Sequence, residues 1–565
     1  MWSCFVPMKS KRDKRTSFDA IVIGSGMGGM TAGSLLANDG LDVLILEAAV
    51  SPGGCSSSYK RKGYTFESGA TTLIGFDAHQ PLKELEETLG FTIRKTRIEP
   101  SMTVHMDGQS IIRWENLEQW IQEVSSVFGE HAEQRAFWTR AKDVSDIVWK
   151  VSGHNRNFPP THIKDFIKLL RNDPRDARIL PYAISSVKEV ASRIGISHPG
   201  FYRFLDEQLL ISSQATSSET SFLFGAPALT YTNYTNYTVQ GGLIEMIHQL
   251  IAFVEDHNGV FRNRSRVVSL TPIQQTDFSN TIHKGDARSG SRMYKVTTAS
   301  GQVYEAPIII SSIPIWNLPD LTHGEMKTYF QQESSRYDVG WGAFTMGIVT
   351  TDTYPDEMTL HHQIHNDWRN HGSNPPMPDH HLPDHHLLDH LWPKHPKTKH
   401  PKTKHPSKTH KPPEDPRDYS VFVSFSHPQD TIRAKPGTRV LNVSTHVPTK
   451  DWFTNQQIYD RNKEATEKRI TELLERNLPG FADAERISLF SATPKTWQKW
   501  VYRKHGRVGG LPQSMSRSIL DWTPNKTPFK GVYLTGDTVY PGQGIPGVAL
   551  SGILARHRIQ EDFYS

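Results

Sequence analysis

Cysteine is scarce in this chain: its 565 residues include only Cys4 and Cys55. Two thiols cannot form a disulfide framework, and so low a number is typical of proteins in a reducing compartment. Long apolar runs are also missing, since no stretch approaches the roughly 18 consecutive apolar residues of a membrane-spanning helix. Residues 1–17 are basic but have neither a long apolar core nor a signal-peptide cleavage site. We therefore expect them to form a disordered basic N-terminus.

Basic charge that could indicate nucleic acid binding is local, in the N-terminal tail and in one later segment. The net charge is +5, and residues 391–413 alone contribute seven lysines without an acidic residue. We therefore predict no nucleic acid partner. The wider segment of residues 370–417 is rich in His, Pro and Lys and cannot pack a core, so we expect a disordered insert. Because histidines without fixed geometry make poor sites, we predict no functional metal there.

The remaining sequence has the composition of an ordinary globular protein. Hydrophobic residues make up 36% of the chain and charged residues 22%. A length of 565 residues exceeds that of one average domain, so we expect at least two domains.

A strand–helix–strand pattern near the N-terminus predicts a dinucleotide site. An apolar strand over 18–23 is followed at once by GSGMGG, then by a helical stretch, then by a second buried strand over 42–47. The first glycine would permit the tight turn, the second would let the backbone approach a pyrophosphate, and the last would let the helix pack closely. The helix N-terminus would offer free N–H groups to phosphate. The glycines of this turn are Gly24, Gly26, Gly28 and Gly29.

Glu47 ends the second strand, 23 positions after Gly24. A carboxylate at this place would accept the ribose hydroxyls of an adenosine. It argues against NADP, whose 2′-phosphate it would repel, but it does not separate NAD from FAD. The next glycines, Gly53 and Gly54, would by composition alone form an ordinary turn.

A second glycine-rich unit stands near the C-terminus. GVYLTGD, residues 531–537, reads as a buried strand, and residues 548–559 have the apolar spacing of a helix. The connecting PGQGIPG combines glycines and prolines, and glycine is kept where the backbone must turn tightly or approach a ligand. This strand–loop–helix unit would present a second helix N-terminus to a cofactor.

Together these segments resemble the flavoproteins of the amine oxidase superfamily. PGQGIPGVALSG is most similar to the branch that contains phytoene desaturases, carotenoid cis–trans isomerases and retinol saturases. GRVGGLPQ, residues 506–513, and YSVFVSFSHPQD, residues 419–430, agree with this branch. The resemblance covers most of the chain outside the first 17 residues and about 370–417.

The resemblance implies an α/β fold with a Rossmann-type (GR2-like) FAD-binding domain and an α+β substrate domain. The first would be built from 18–95, 240–315 and 485–565, the second from 96–239 and 316–484. The strand over 260–270 would return to the FAD domain, with the backbone of Val267 at the adenine edge. Asp537 would bind the ribityl or pyrophosphate region. The other residues implied to contact FAD are Gly53, Gly54, Gly536, Gly544, Ile545 and Pro546.

The expected activity is that of an FAD-dependent oxidoreductase acting on a carotenoid-like polyene. Desaturation would send a hydride to the flavin and release a proton, whereas cis–trans isomerisation with reduced flavin would be redox-neutral. Alternatives are an amine oxidase-like enzyme with another substrate, a retinol saturase-like reductase, and a flavin-binding interaction protein that works through the insert. No motif identifies a catalytic acid or base. The family implies a lipophilic substrate and a cytoplasmic enzyme with peripheral contact to the inner face of a membrane.

Overall fold

The computed structural model describes residues 14–69, 71–169, 174–273, 292–336, 341–365 and 420–564. The insert predicted over 370–417 and most of the predicted N-terminal segment lie outside the described residues, so both stay predictions. None of the helices described here is long and apolar enough to cross a membrane.

The described strands are short in the first half of the chain and longer in the second. In chain order they are β1 (Ala20–Ile23), β2 (Val43–Leu46), β3 (Ser58–Arg61), β4 (Tyr64–Glu67), β5 (Thr96–Ile98), β6 (Met102–Met106), β7 (Gln109–Arg113), β8 (Asn236–Thr238), β9 (Val260–Arg262), β10 (Val267–Pro272), β11 (Tyr294–Thr298), β12 (Val303–Ala306), β13 (Ile308–Ser311), β14 (Trp341–Thr351), β15 (His361–Ile364), β16 (Val421–Phe425), β17 (Thr438–Pro448), β18 (Arg486–Ala492) and β19 (Val532–Leu534).

The described α-helices fall mainly between the strands of the first sheet and in one long run before residue 230. They are α1 (Met27–Asn38), α2 (Pro81–Leu89), α3 (Leu117–Phe128), α4 (His131–His154), α5 (Ile163–Leu169), α6 (Val187–Ile194), α7 (Pro199–Ser213), α8 (Phe222–Thr230), α9 (Ile244–Asp256), α10 (Gly324–Ser335), α11 (Gln456–Asn477), α12 (Pro494–Val501) and α13 (Ile545–Phe563).

A five-stranded parallel sheet carries the glycine turn. Its strand order is β19-β13-β1-β2-β9, so segments from both ends of the chain meet in it. Every residue of β1 and β2 is buried, as expected for a parallel sheet covered on both faces. Ala20 and Val22 pack with α1, α9 and α13, whereas Ile21 and Ile23 pack toward the antiparallel sheet β10-β11-β12. The predicted Rossmann-type α/β class is confirmed.

The chain between β9 and β10 differs from the single strand predicted over 260–270. β9 pairs with β2 in the parallel sheet, whereas β10 pairs with β11 in the three-stranded sheet. Arg264 between them has a left-handed φ of 51°, and its N–H donates to the carbonyl of Ala49. The prediction of one continuous strand is wrong because this turn redirects the chain, and its residues carry no glycine or proline to signal it.

A seven-stranded sheet forms the second layer, with the order β18-β14-β17-β16-β15-β6-β7. Its pairs are antiparallel except for β15 with β6. β18 pairs with β14 along Thr345↔Ala492, so the segment from 486 to 492 lies in this sheet. The domain boundary predicted at 485 therefore precedes a strand of the second layer, and the nucleotide-binding segment rejoins the first sheet only at β19.

Helices α1 and α13 cross at a contact between glycines. A Cβ placed on Gly28 would lie 2.8 Å from the backbone nitrogen of Gly536 and 3.0 Å from the carbonyl oxygen of Val548. A Cβ on Gly552 would lie 2.6 Å from the carbonyl oxygen of Gly28. Because the obstructing atoms belong to backbone, the two helices could accept a side chain here only by separating.

This contact predicts different effects for two glycines of one helix. Gly28→Ala should lower the free energy of unfolding by about 1–3 kcal/mol through overpacking. Gly33→Ala is the matched control, because its Cβ would meet only the flexible end of Ile45 at 2.9 Å and gains up to about 1 kcal/mol of helix propensity. Thermal unfolding of both variants measures the difference. Equal midpoints for the two variants would contradict this account of the crossing.

Candidate active site

One large cavity lies between the two sheets, with a volume of about 580 Å³. The structure brings nearly all of the predicted cofactor residues to its wall, although their role in binding stays a prediction. Those that line it are Gly24, Gly26, Gly28, Glu47, Gly53, Gly54, Val267, Gly536, Asp537, Gly544, Ile545 and Pro546.

Gly29 is the predicted site residue that does not line the cavity. Its N–H donates to Ser312 Oγ at 3.0 Å, and a Cβ on it would lie 2.4 Å from the carbonyl oxygen of Gly24. Gly29 therefore serves the close packing of helix on strand. Ser312, just after β13, was not predicted, because an isolated serine after a strand carries no signal of its own.

The glycine turn leaves an open approach to the N-terminus of α1. Gly24 adopts a φ of 96°, which favours glycine. Gly26 has no side chain to cap the helix, and of the first three N–H groups that of Gly29 is bound by Ser312 Oγ, so the two before it are available to a ligand. A Cβ on Gly26 would meet only Ser312 Oγ, at 3.4 Å. This uncapped, uncrowded helix start fits a dinucleotide pyrophosphate.

Glu47 is fixed in place by the turn that it follows. Its Oε2 accepts hydrogen bonds from Ser25 N at 2.9 Å and Ser25 Oγ at 2.6 Å, and its Oε1 accepts from Ala49 N at 2.8 Å. Ser25 Oγ also accepts from Gly53 N at 3.0 Å, which joins the two glycine segments. A carboxylate has about four acceptor positions, so one remains for a ribose hydroxyl.

A second helix N-terminus reaches the same cavity. Helix α13 begins at Ile545, after Gly544 with a φ of 88°, and no side chain caps it. Both helices therefore direct the positive ends of their dipoles at one space. Two such ends favour a ligand that carries negative charge or electron-rich oxygens at two places along its length.

Asp537 is paired with Arg503, which the sequence motifs did not predict as a site residue. Arg503 Nη2 donates to Asp537 Oδ2 at 2.8 Å, and both side chains are largely buried. Burial raises the pKa of the neighbouring Cys55 thiol, and Arg503 opposes that rise. Arg503 stands three residues before the GRVGGLPQ motif, and only this proximity to the motif could have marked it as a site residue in the sequence. The pair places opposite charges side by side in a buried part of the site.

The opposite part of the cavity is mainly apolar and aromatic. Helices α4, α7 and α8, together with the seven-stranded sheet and α12, supply this wall. It includes Val148, Trp149, Ile211, Phe224, Pro227, Ala228, Phe422, Trp497 and Val501. Such a surface suits a lipophilic ligand.

Known proteins resemble this chain both in its nucleotide-binding part and over nearly its whole length. A family model described as an NAD(P)-binding Rossmann-like domain matches residues 22–89. The chain is 25% identical to prolycopene isomerase of Arabidopsis thaliana over 98% of this chain and 84% of that protein. It is 20% identical to the 4,4'-diapolycopene oxygenase of Methylomonas sp over 96% and 98% of the two chains. It is 24% identical to all-trans-retinol 13,14-reductase of Danio rerio over 53% and 48%.

Among solved structures, a putrescine oxidase variant superposes with a TM-score of 0.56, at 12% identity over 96% of this chain and 98% of that one. At this identity the likeness shows the fold. The fold is thus shared with flavin amine oxidases, and the Rossmann-like match together with the cavity indicates an oxidoreductase with a flavin-type dinucleotide cofactor. Within that class the full-length relatives confirm the resemblance to the carotenoid desaturase and isomerase family. The expected enzymatic character is confirmed as well.

The bonds of Glu47 predict the effect of removing its charge. Glu47→Gln would place an NH₂ group against Ser25 N–H or Ala49 N–H, so we expect at least a tenfold loss of dinucleotide affinity. One lost charged hydrogen bond of about 1.5–3 kcal/mol accounts for this. Calorimetric titration of the apoprotein with FAD measures it. Glu255→Gln, on an exposed face of α9, is the control, and equal affinities for the two variants would refute the assignment.

Proposed function

We propose that this chain is an FAD-dependent oxidoreductase that acts on a carotenoid-like polyene. The observation that carries the proposal is a single cavity joining the glycine turn at one side to an apolar, aromatic wall at the other. A dinucleotide fits the first part and a long hydrocarbon chain the second. The full-length relatives named for carotenoid substrates support this reading.

The chain's own residues would hold the two ligands as follows. The N-terminus of α1 would bind the pyrophosphate, Glu47 the adenosine ribose, and the backbone at Val267 the adenine edge. Asp537, paired with Arg503, would accept hydrogen bonds from hydroxyls of the ribityl region. When bound, FAD would supply hydride acceptor and donor chemistry. The wall containing Trp149 would exclude water and align the polyene.

Isomerisation is favoured over desaturation as the reaction. Isomerisation leaves the atoms of the substrate unchanged, and two relatives that match nearly the whole of this chain are named as prolycopene isomerases. A retinol saturase-like reduction is the second candidate. It is supported by the similarity to a retinol reductase over 53% of this chain.

The reaction is tested by anaerobic incubation of the purified holoprotein with carotenoid-loaded liposomes, in parallel with oxidised and with reduced flavin. We expect a product of unchanged mass that forms only with reduced flavin. A product absorbing at longer wavelength with oxidised flavin would mean desaturation, and a product two hydrogens heavier would mean saturation. Chromatography with absorbance spectra and mass detection separates these outcomes.

Protein-free liposomes with the same reduced flavin are the control for uncatalysed isomerisation. If the holoprotein changes no carotenoid in either state, the polyene assignment is wrong. The amine oxidase-like alternative would then take its place.

We also propose that the protein contacts a membrane surface through exposed apolar side chains of α5 and of residues 174–184. Four apolar side chains there are strongly exposed: Ile163 at 75%, Ile167 at 55%, Leu180 at 62% and Ile184 at 80%. The exposed Lys164 lies among them and would favour anionic lipid. The preceding helix α4 lines the cavity through Val148, Trp149 and Ser152, so a lipid-dissolved substrate would meet the protein beside its site.

Replacing two of these side chains should weaken membrane binding. Ile163→Ser with Ile184→Ser should reduce the liposome-bound fraction at least tenfold, because each buried isoleucine contributes about 1.5–3 kcal/mol. Flotation with anionic liposomes measures the fraction. Ile487→Ser, which removes another exposed isoleucine from β18, is the control. Unchanged flotation of the double variant would exclude these side chains as the contact surface.

A further inference from the structure

The seven-stranded sheet forms part of the cavity wall. A row of uncharged polar side chains lies on this part. Thr345 lies on β14, and Ser444 and His446 lie on β17; all three line the cavity. Thr345 is paired with Ser444 across the two strands, and Ala343 is paired with His446 one step along the same face. The three side chains therefore stand next to one another. Thr345, Ser444 and His446 are called the polar strip below.

The polar strip has no partners of its own. In the described part of the chain, no hydrogen bond is made by the side chains of Thr345, Ser444 or His446. His446 meets only the edge of Trp341, with ring centroids 6.2 Å apart. The strip thus presents hydroxyl and imidazole groups to the part of the cavity that is otherwise mainly apolar.

The neighbouring polar residue on this wall shows the contrast. Ser420 also lines the cavity, but its Oγ accepts from Gln363 Nε2 at 2.9 Å, and its N–H donates to Glu207 Oε2 at 3.1 Å. Its carbonyl accepts from Thr445 Oγ1 at 3.0 Å. Ser420 is therefore committed to the protein, whereas the hydrogen-bonding capacity of the strip is directed at whatever occupies the cavity.

The strip is neutral at physiological pH. Burial lowers the pKa of His446 to about 4, so its ring offers one donor and one acceptor nitrogen. The arginines that line the cavity are Arg266 and Arg503, and the second is paired with Asp537. The strip itself thus has neither a cation to pair a carboxylate nor a carboxylate to pair an amine. Its chemistry matches an uncharged oxygen function.

We propose that the polar strip is a recognition subsite for a hydroxyl or carbonyl group on the polyene substrate. This deepens the proposed function and rests on it. A pure hydrocarbon would cover Thr345, Ser444 and His446 with apolar surface and leave them unpaired, at a cost in free energy. An oxygenated polyene would pair with them and exchange its own water contacts for protein contacts.

The test compares three polyenes of one skeleton that carry no, one and two hydroxyl groups: β-carotene, β-cryptoxanthin and zeaxanthin. Each is titrated in detergent micelles into the anaerobic holoprotein, and binding is read from quenching of tryptophan fluorescence, since Trp149 and Trp497 line the cavity. We expect β-cryptoxanthin to bind about tenfold more tightly than β-carotene, the effect of one or two net hydrogen bonds. This readout does not depend on turnover.

Variants of the strip should remove the preference without removing binding. Ser444→Ala combined with His446→Phe should bring the affinities for β-carotene and β-cryptoxanthin to within about twofold of each other. Thr345→Val, which keeps the side-chain shape, should reduce the preference alone if the double variant does not fold. Ser488→Ala is the matched control, because Ser488 lies on β18 of the same sheet and does not line the cavity.

The outcomes separate the two proposals. Equal affinity of the unaltered protein for the hydrocarbon and the alcohol overturns the polar strip as a subsite while leaving the polyene function in place. Survival of the preference in the folded strip variants overturns it too, since recognition would then lie elsewhere. Failure of all three polyenes to bind overturns both the subsite and the polyene function.

Discussion

The close crossing of α1 and α13 is the contact on which the rest of this protein depends. Two helices separated by more than 500 residues of chain meet at Gly28 and Gly552, where neither has a side chain. Only this approach lets both uncapped helix ends open onto one cavity. The same contact adds β19 to the edge of the parallel sheet and so fixes Gly536 and Asp537 beside the first glycine turn.

The second layer complements the first in polarity. The first layer supplies backbone N–H groups, Glu47 and Asp537, and the segment after α12 adds Arg503, which pairs with Asp537. These are the groups that a charged and hydroxylated cofactor requires. The helices before residue 230 and the seven-stranded sheet supply an apolar wall. The polar strip is the exception within that wall, and it lies on the strands rather than on the helices, where residue positions are set most rigidly by the ladder of hydrogen bonds.

Much of the nucleotide half could be predicted from the sequence, because its chemistry is local. A glycine at a left-handed φ or at a helix crossing is needed for reasons that lie within a few residues, so the turn after β1 and the loop before α13 were both identifiable. Arg503 and Ser312 were missed since their roles arise from contacts with residues far along the chain, Asp537 and Gly29. The turn at Arg264 was missed because an arginine rarely adopts that conformation. The polar strip depends on strand register, which composition does not reveal.

Strands β15 and β16 are direct neighbours, with Ile364 opposite Val421. The long stretch of chain between them therefore leaves the sheet and returns to it at adjacent points. The entropy of closing such a connection rises only with the logarithm of its length, about 0.6 kcal/mol for each doubling. Because this pairing sets the register, we expect a change in the length of the connection to leave the two strands in place. The chain could therefore differ in length here by tens of residues at little cost to the residues that bind its ligands.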